Sequence, residues 1–140
     1  EMEERDKICG VLCRADGQAL RVEEVSRYKS GLLAFGLRVL DTLVQRDVYE
    51  MFVAPVDAVA VPDYLQVIST PMDLASVREK LVAGEYANSI AALRSDIDLI
   101  WRNCKQYNAR GSMYYSAANR MQKLTAKLFE QQQELFVEKS

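Results

Sequence analysis

Asn103-Cys104-Lys105-Gln106-Tyr107-Asn108 closes a helical pattern and runs straight into a short polar link, Ala109-Arg110-Gly111-Ser112. Upstream of it, Ile90, Leu93, Ile97, Ile100/Trp101 and Cys104 recur at steps of three and four, the spacing of one buried helix face. Asn108 stands where that face ends, and its amide carries two donor hydrogens and an acceptor oxygen. Two readings are open. The residue caps the helix, as Asn often does. Alternatively, its uncharged amide reads another uncharged amide in a shallow apolar groove.

Before this helix the rhythm breaks. Residues 47–71 hold all three prolines of the chain, Pro55, Pro62 and Pro71, and are rich in apolar side chains such as Phe52, Val56, Val61 and Tyr64. A loop this long inside a compact domain is uncommon and usually functional. Its backbone cannot be buried cheaply without partners, so it is expected to fold onto the helices, with room for ordered water. Stiffened by proline, it suits the wall of a ligand groove. Pro62-Asp63-Tyr64-Leu65 is expected as a single helical turn with Pro at its start.

The remaining segments read as helices. Leu33, Leu37, Leu40 and Val44 predict a helix over 31–46 with those four on its core face. Thr70-Pro71-Met72-Asp73 predicts a helix start with Thr as N-cap, buried Leu74, Val77 and Leu81, and a stop at Gly84. Asn88 or Ser89 opens the helix that holds Trp101, read as core. The last helix is expected from Ser112 to about Phe136, with Ala117, Met121, Leu124, Leu128 and Leu135 inward and Gln131, Gln132 and Gln133 in solvent. Four amphipathic helices and one long loop imply an all-α four-helix bundle. Ahead of it, residues 1–30 form a partly helical extension. There Ile8, Val11, Leu12 and Ala15 line one side of a short helix ended by Asp16-Gly17, and Val22 and Val25 suggest a further turn or two. The arm reads as a packing extension, with an accessory contact surface as the other reading.

At 140 residues the chain is of one-domain size and long enough to bury a core. A net charge of −2 provides no broad basic field to hold nucleic acid by its phosphates. No apolar run approaches a membrane span, and Glu1-Met2-Glu3-Glu4-Arg5-Asp6 is unlike a secretory signal, so a soluble intracellular domain is expected. Cys9, Cys13 and Cys104 are odd in number and give no disulfide framework. With no His in the chain, a four-ligand zinc site is not expected, and neither is another cofactor. The absence of His also removes the commonest general base, and no Gly-rich phosphate loop appears, so no enzyme is expected.

Taken together, four motifs make the reading specific. Phe52-Val53-Ala54-Pro55-Val56-Asp57, Pro62-Asp63-Tyr64, Pro71-Met72-Asp73-Leu74 and Asn103-Cys104 followed by Tyr107-Asn108 resemble, in order and spacing, those of the bromodomain family. The resemblance covers residues 31–136, leaving 1–30 as the extension and 137–140 as a tail. It implies a left-handed four-helix bundle with a long loop between helices 1 and 2, and an acetyl-lysine pocket between that loop and the last interhelical loop. Carried over by position, Asn108 would donate to the acetyl carbonyl, and Tyr64 would reach the same oxygen through water. Tyr107 would line the pocket, Phe52 and Val56 would form its floor and wall around the methyl, and Val61 would stand on the loop side. Tyr114 would guard the mouth, with Cys104 as pocket-lining packing.

The chemistry fits that likeness. An unmodified lysine brings a charge that an apolar cleft must desolvate at a cost of several kcal/mol. Acetylation removes the charge and leaves a small methyl and a carbonyl acceptor. The implied function is non-catalytic recognition of acetylated lysine on histone tails or other acetylated proteins, by a monomeric module of a larger nuclear protein. It involves no direct contact with nucleic acid or membrane. The alternative is a scaffold of the same fold that serves protein assembly. One departure stands out: many family members have Trp-Pro before the Phe, forming an apolar shelf, where this chain has Glu50-Met51.

Overall fold

The computed structural model describes residues 22–87 and 89–139, with side chains over 31–87 and 89–131. Its elements are α1 (Val22–Arg46), α2 (Tyr64–Val67), α3 (Leu74–Val82), α4 (Ile90–Tyr107) and α5 (Met113–Lys139), and no strand occurs among the described residues. α2 is a single turn inside the long connection between α1 and α3. The other four helices pack as the expected all-α bundle: α4 lies against α5 and α3, and α1 against α3 and α5.

Large side chains fill the space between them. Trp101 and Phe129 are fully buried, as is Phe35. Phe35 meets Phe129 edge to face at 5.2 Å between centroids, and Phe52 meets Trp101 the same way at 5.0 Å. Each such pair contributes about 0.5–1.5 kcal/mol beyond its buried area. The Trp101 indole donates to the Thr125 hydroxyl at 3.0 Å, which in turn donates to the Met121 carbonyl at 2.8 Å. Trp101 is core, as expected.

α1 differs from the expectation in two ways. It starts at Val22, well before residue 31, so residues 22–30 of the amino-terminal arm continue the same helix. Ile8 to Ala15 and the Asp16-Gly17 stop lie outside the described residues. The buried face is also turned by one residue. Leu40 is buried and Leu37 half-buried, but Leu33 and Val44 are each 37% exposed, and Leu32, Phe35, Val39 and Leu43 take their places inside. Adjacent apolar pairs at 32–33, 39–40 and 43–44 let the period fit either face, and packing of Phe35 on Phe129 selects one. On that face Gly36 marks the close approach of α1 to its neighbours: a Cβ there would stand 2.6 Å from Leu81 Cδ2 and 3.2 Å from Leu93 Cδ2.

The helix starts are settled by side-chain caps. At α3 the cap is Asp73, not Thr70: the Asp73 carboxylate accepts from the Ser76 N–H at 2.9 Å and the Ser76 hydroxyl at 2.6 Å. An ionised acceptor at the positive helix end is the stronger cap. α3 ends at Val82, with Gly84 just beyond at φ +81°, consistent with the expected stop. Ser89 caps α4 by accepting from Ala92 N–H at 3.0 Å; Asn88 lies outside the described residues. Ser112 accepts from Tyr115 N–H at 3.1 Å, placing it as cap and starting α5 one residue later. Ala117 and Met121 are buried and Leu124 and Leu128 half-buried, joined by Ala118, Thr125 and Phe129; the side chain of Leu135 lies outside the described residues.

The loop after α1 is anchored rather than free. Asp47 is only 6% exposed, and its two carboxylate oxygens accept from the backbone N–H groups of Met51 (2.9 Å) and Phe52 (2.8 Å). The carbonyls of Phe52 and Val53 then accept from Leu74 and Ala75 N–H, both at 2.9 Å. Those donors belong to the first turn of α3, which has no partner for them within the helix.

Candidate functional site

The site is built where α4 ends against the loop. Asn108 follows the last residue of α4 as its C-cap, with extended backbone (φ −97°, ψ 148°). Its backbone N–H donates to the Cys104 carbonyl at 3.0 Å, and its side-chain Nδ2 donates to the same oxygen at 3.0 Å. Nδ2 also lies 3.5 Å from Cys104 Sγ, a weak acceptor. The capping reading of Asn108 therefore holds, with the Cys104 carbonyl as the strong acceptor of Nδ2 and the sulfur as a weak one.

Cys104 is half-buried, and its thiol donates to the Tyr114 carbonyl at 3.4 Å, joining the start of α5 to the end of α4. Burial pushes the thiol above its ordinary value of 9.0, with the Asn108 contact pulling the other way. The group is a protonated packing thiol at neutral pH. Tyr64, on α2, is buried, and its ring lies tilted against that of Tyr107 at 4.9 Å. Burial, with a smaller contribution from Cys104, raises the Tyr64 phenol above 10.0, so it remains a neutral donor. The Tyr107 hydroxyl donates to Asp63 Oδ1 at 2.7 Å, and that hydrogen bond raises its own phenol.

Asn108, Cys104, Tyr107, Tyr64 and the backbone of Tyr114 thus form one connected group. The other expected residues sit around it differently. Phe52 is 6% exposed with its ring on Trp101 in the core. Val61 is half-buried and its carbonyl accepts from Tyr64 N–H at 3.1 Å. Val56 and the Tyr114 side chain stand largely open, at 41% and 47%. The turn at 62–65 is present but begins at Tyr64 with Asp63 before it, so Pro62 precedes the turn instead of opening it.

Three side chains of α4 that carry no expected binding role, or a different one, stitch the loop down. Asn103 Nδ2 donates to the Thr70 carbonyl at 2.8 Å, Gln106 Nε2 to the Val67 carbonyl at 2.9 Å, and Tyr107 to Asp63. Positions 103, 106 and 107 share a helix face by their spacing, and they meet the loop in reverse order. That spacing of polar residues was the signal that could have found Asn103 and Gln106. Asp47 offered no comparable signal, since a loop acid reads as solvated.

Glu50, in the place of the expected shelf, is exposed and holds a left-handed backbone (φ 53°). A non-glycine residue there is strained, and the Asp47 hydrogen bonds immediately following it hold the turn in place. Among the described residues no cluster of His, Cys, Asp or Glu could hold a metal ion.

Comparison with known proteins gives the family of the chain. The bromodomain family model matches residues 37–120. A bromodomain-containing protein homolog of Drosophila melanogaster is 42% identical over 94 residues, covering 67% of this chain and 6% of that protein. The human bromodomain and PHD finger-containing protein 3 is 39% identical over 85 residues, covering 61% of this chain and 7% of that protein. The chain therefore spans under a tenth of these relatives. Among solved structures, the Trypanosoma cruzi bromodomain BDF2 superposes with a TM-score of 0.67 at 28% identity, over 71% of this chain and 87% of that one. A Trypanosoma brucei bromodomain in complex with bromosporine gives 0.65 at 35%, over 74% and 85%.

Proposed function

The chain belongs to the bromodomain family of acetyl-lysine reader modules, and from that premise we propose that it binds acetylated histone tails through a hydrogen bond from Asn108 to the acetyl carbonyl. The observation that carries the reading is the state of Asn108 itself. Its amide is half-buried and fixed by the Cys104 carbonyl, and the second contact of its Nδ2 is a weak one, Cys104 Sγ at 3.5 Å. A carbonyl oxygen is a far stronger acceptor than sulfur, so an incoming acetyl group displaces a poor contact at little cost.

The rest of the group follows from chemistry. Tyr64, kept neutral, donates through a water to the same oxygen. Tyr107, Val61, Val56, Phe52 and Cys104 supply the apolar surroundings that a methyl tolerates and an ammonium does not. Tyr114 stands at the mouth. One net hydrogen bond of roughly 0.5–1.5 kcal/mol and a modest apolar contribution give a weak interaction for a single mark. The expected Kd is on the order of 100 μM, about −5.5 kcal/mol. The module is non-catalytic and nuclear, and it is one part of a longer protein; the relatives it matches are many times its length. Selectivity then draws on neighbouring modules.

A two-dimensional NMR titration of the labelled chain with acetylated and unmodified histone H4 tail peptides tests this, repeated with Asn108→Ala. Shifts around Asn108 and Tyr64, dependent on acetylation and lost in the variant, are the expected result. A folded chain that shows no shift with a panel of acetylated peptides would be a scaffold for assembly instead.

A further inference from the structure

We infer that α4 positions Tyr64 by gripping the one-turn helix α2 at both ends, with Tyr107 holding Asp63 and Gln106 holding the Val67 carbonyl. The inference rests on the acetyl-lysine reading above and assigns Asp63 and Gln106 as positioning residues for it.

α2 spans only Tyr64–Val67. A helix of that length cannot sustain itself, because nucleation fixes several residues for one hydrogen bond. Its internal support is slight: Gln66 N–H to Asp63 carbonyl at 3.1 Å and Ile68 N–H to Tyr64 carbonyl at 2.8 Å. Asp63 occupies the N-cap position, yet its side chain makes no capping hydrogen bond. The carboxylate is turned outward to accept from the Tyr107 hydroxyl at 2.7 Å. At the other end, the Val67 carbonyl is one of those a helix leaves unpaired, and Gln106 Nε2 satisfies it at 2.9 Å.

Both grips come from residues immediately before Asn108 in sequence. The turn that carries Tyr64 and the helix end that carries Asn108 are therefore one mechanical unit, with the Tyr64 and Tyr107 rings in contact at 4.9 Å between the grips. A water shared by the Tyr64 hydroxyl and an acetyl oxygen needs that separation held to a fraction of an ångström. Gln106 and Asp63 act through α2 and do not themselves touch the ligand. Both hydrogen bonds are solvent-exposed, so they steady the turn rather than the bundle.

The test compares Gln106→Ala, Asp63→Ala and Asp63→Asn in the labelled chain. Amide hydrogen exchange at Gln66 and Ile68 is expected to quicken about fivefold in both alanine variants, the size of one lost hydrogen bond, with Ile97 in the core unchanged. Affinity for an acetylated H4 peptide is expected to fall by a similar factor. Asp63→Asn, which keeps an acceptor for Tyr107, restores both. Unchanged exchange in both alanine variants overturns the grip, and faster exchange with unaltered affinity overturns its role in positioning. If the wild-type chain binds no acetylated peptide, the reader assignment falls, and the exchange comparison with its Asn rescue still decides whether the grip exists.

Discussion

The carboxylate of Asp47 accepts the backbone N–H of Phe52 at 2.8 Å, while the carbonyl of the same Phe52 accepts from Leu74 at 2.9 Å. Phe52 is thus held on both sides of its peptide unit, and its ring is delivered edge-on to Trp101. Asp47→Ala removes two acceptors and leaves the part-buried Met51 N–H and the buried Phe52 N–H unpaired. The expected loss is about 2–4 kcal/mol. Chemical denaturation checks it; a loss under 1 kcal/mol would show that water replaces the carboxylate.

Thr125 offers a narrower case. Its hydroxyl is fully buried and is the acceptor for the Trp101 indole. Thr125→Val keeps the volume and strips the acceptor, so the indole N–H is left unsatisfied at a cost of about 1–3 kcal/mol. The denaturation midpoint should drop with the slope unchanged, and the Trp101 emission should shift. An unaltered midpoint would mean that the indole finds another partner.

Stability should fall in alkali. Burial raises Cys104 above 9.0 and Tyr64 above 10.0, and burial with the Asp96 hydrogen bond raises Tyr86 strongly. Between each unfolded value and the higher folded one, the folded chain binds more protons than the unfolded chain, so stability declines as pH rises. The contribution is complete below about pH 9 and is lost as pH climbs through the folded values. Urea midpoints measured from pH 7 to 11 should turn down above pH 9, less steeply in Tyr64→Phe. A midpoint rising through pH 10 would contradict the sign.

Tyr114, standing at the mouth of the proposed groove, should favour acetyl over longer acyl groups. A butyryl-lysine peptide is expected to bind on the order of tenfold more weakly than its acetyl counterpart, since each extra methylene must find room. Tyr114→Ala should narrow the gap. Equal affinity for the two peptides in the wild type would remove Tyr114 from this role.

Element type was legible in the sequence because it depends on period and on caps. The helix ended by Asn108, the stop at Gly84, the start near Ser112 and the burial of Trp101 all follow from local pattern. The rotation of α1 does not: apolar neighbours at 32–33 and 43–44 satisfy the period on either face, and packing against Leu81, Leu93 and Phe129, far along the chain, decides. Likewise Thr70-Pro71 and Asp73 are both acceptable helix starts, and the choice falls to Asp73 because its carboxylate reaches two donors on Ser76. At the site, Asn108 was conspicuous, whereas Asp47 acts on residues four and five positions along through a backbone turn. No periodicity reports such a contact.

The Cys104 carbonyl accepts from Asn108 twice, from its backbone and from its side chain. Rotating the Asn108 amide by half a turn would bring two oxygens face to face at that distance, so the group has only one stable orientation. For a chemist designing a small molecule against the proposed groove, that sets a rule of polarity. A competitor for the amide N–H must present a lone pair, as a ketone, lactam or isoxazole does, and an amine or alcohol that offers hydrogen at that point meets a donor head-on. The preference is written into the backbone geometry of α4 before any ligand arrives.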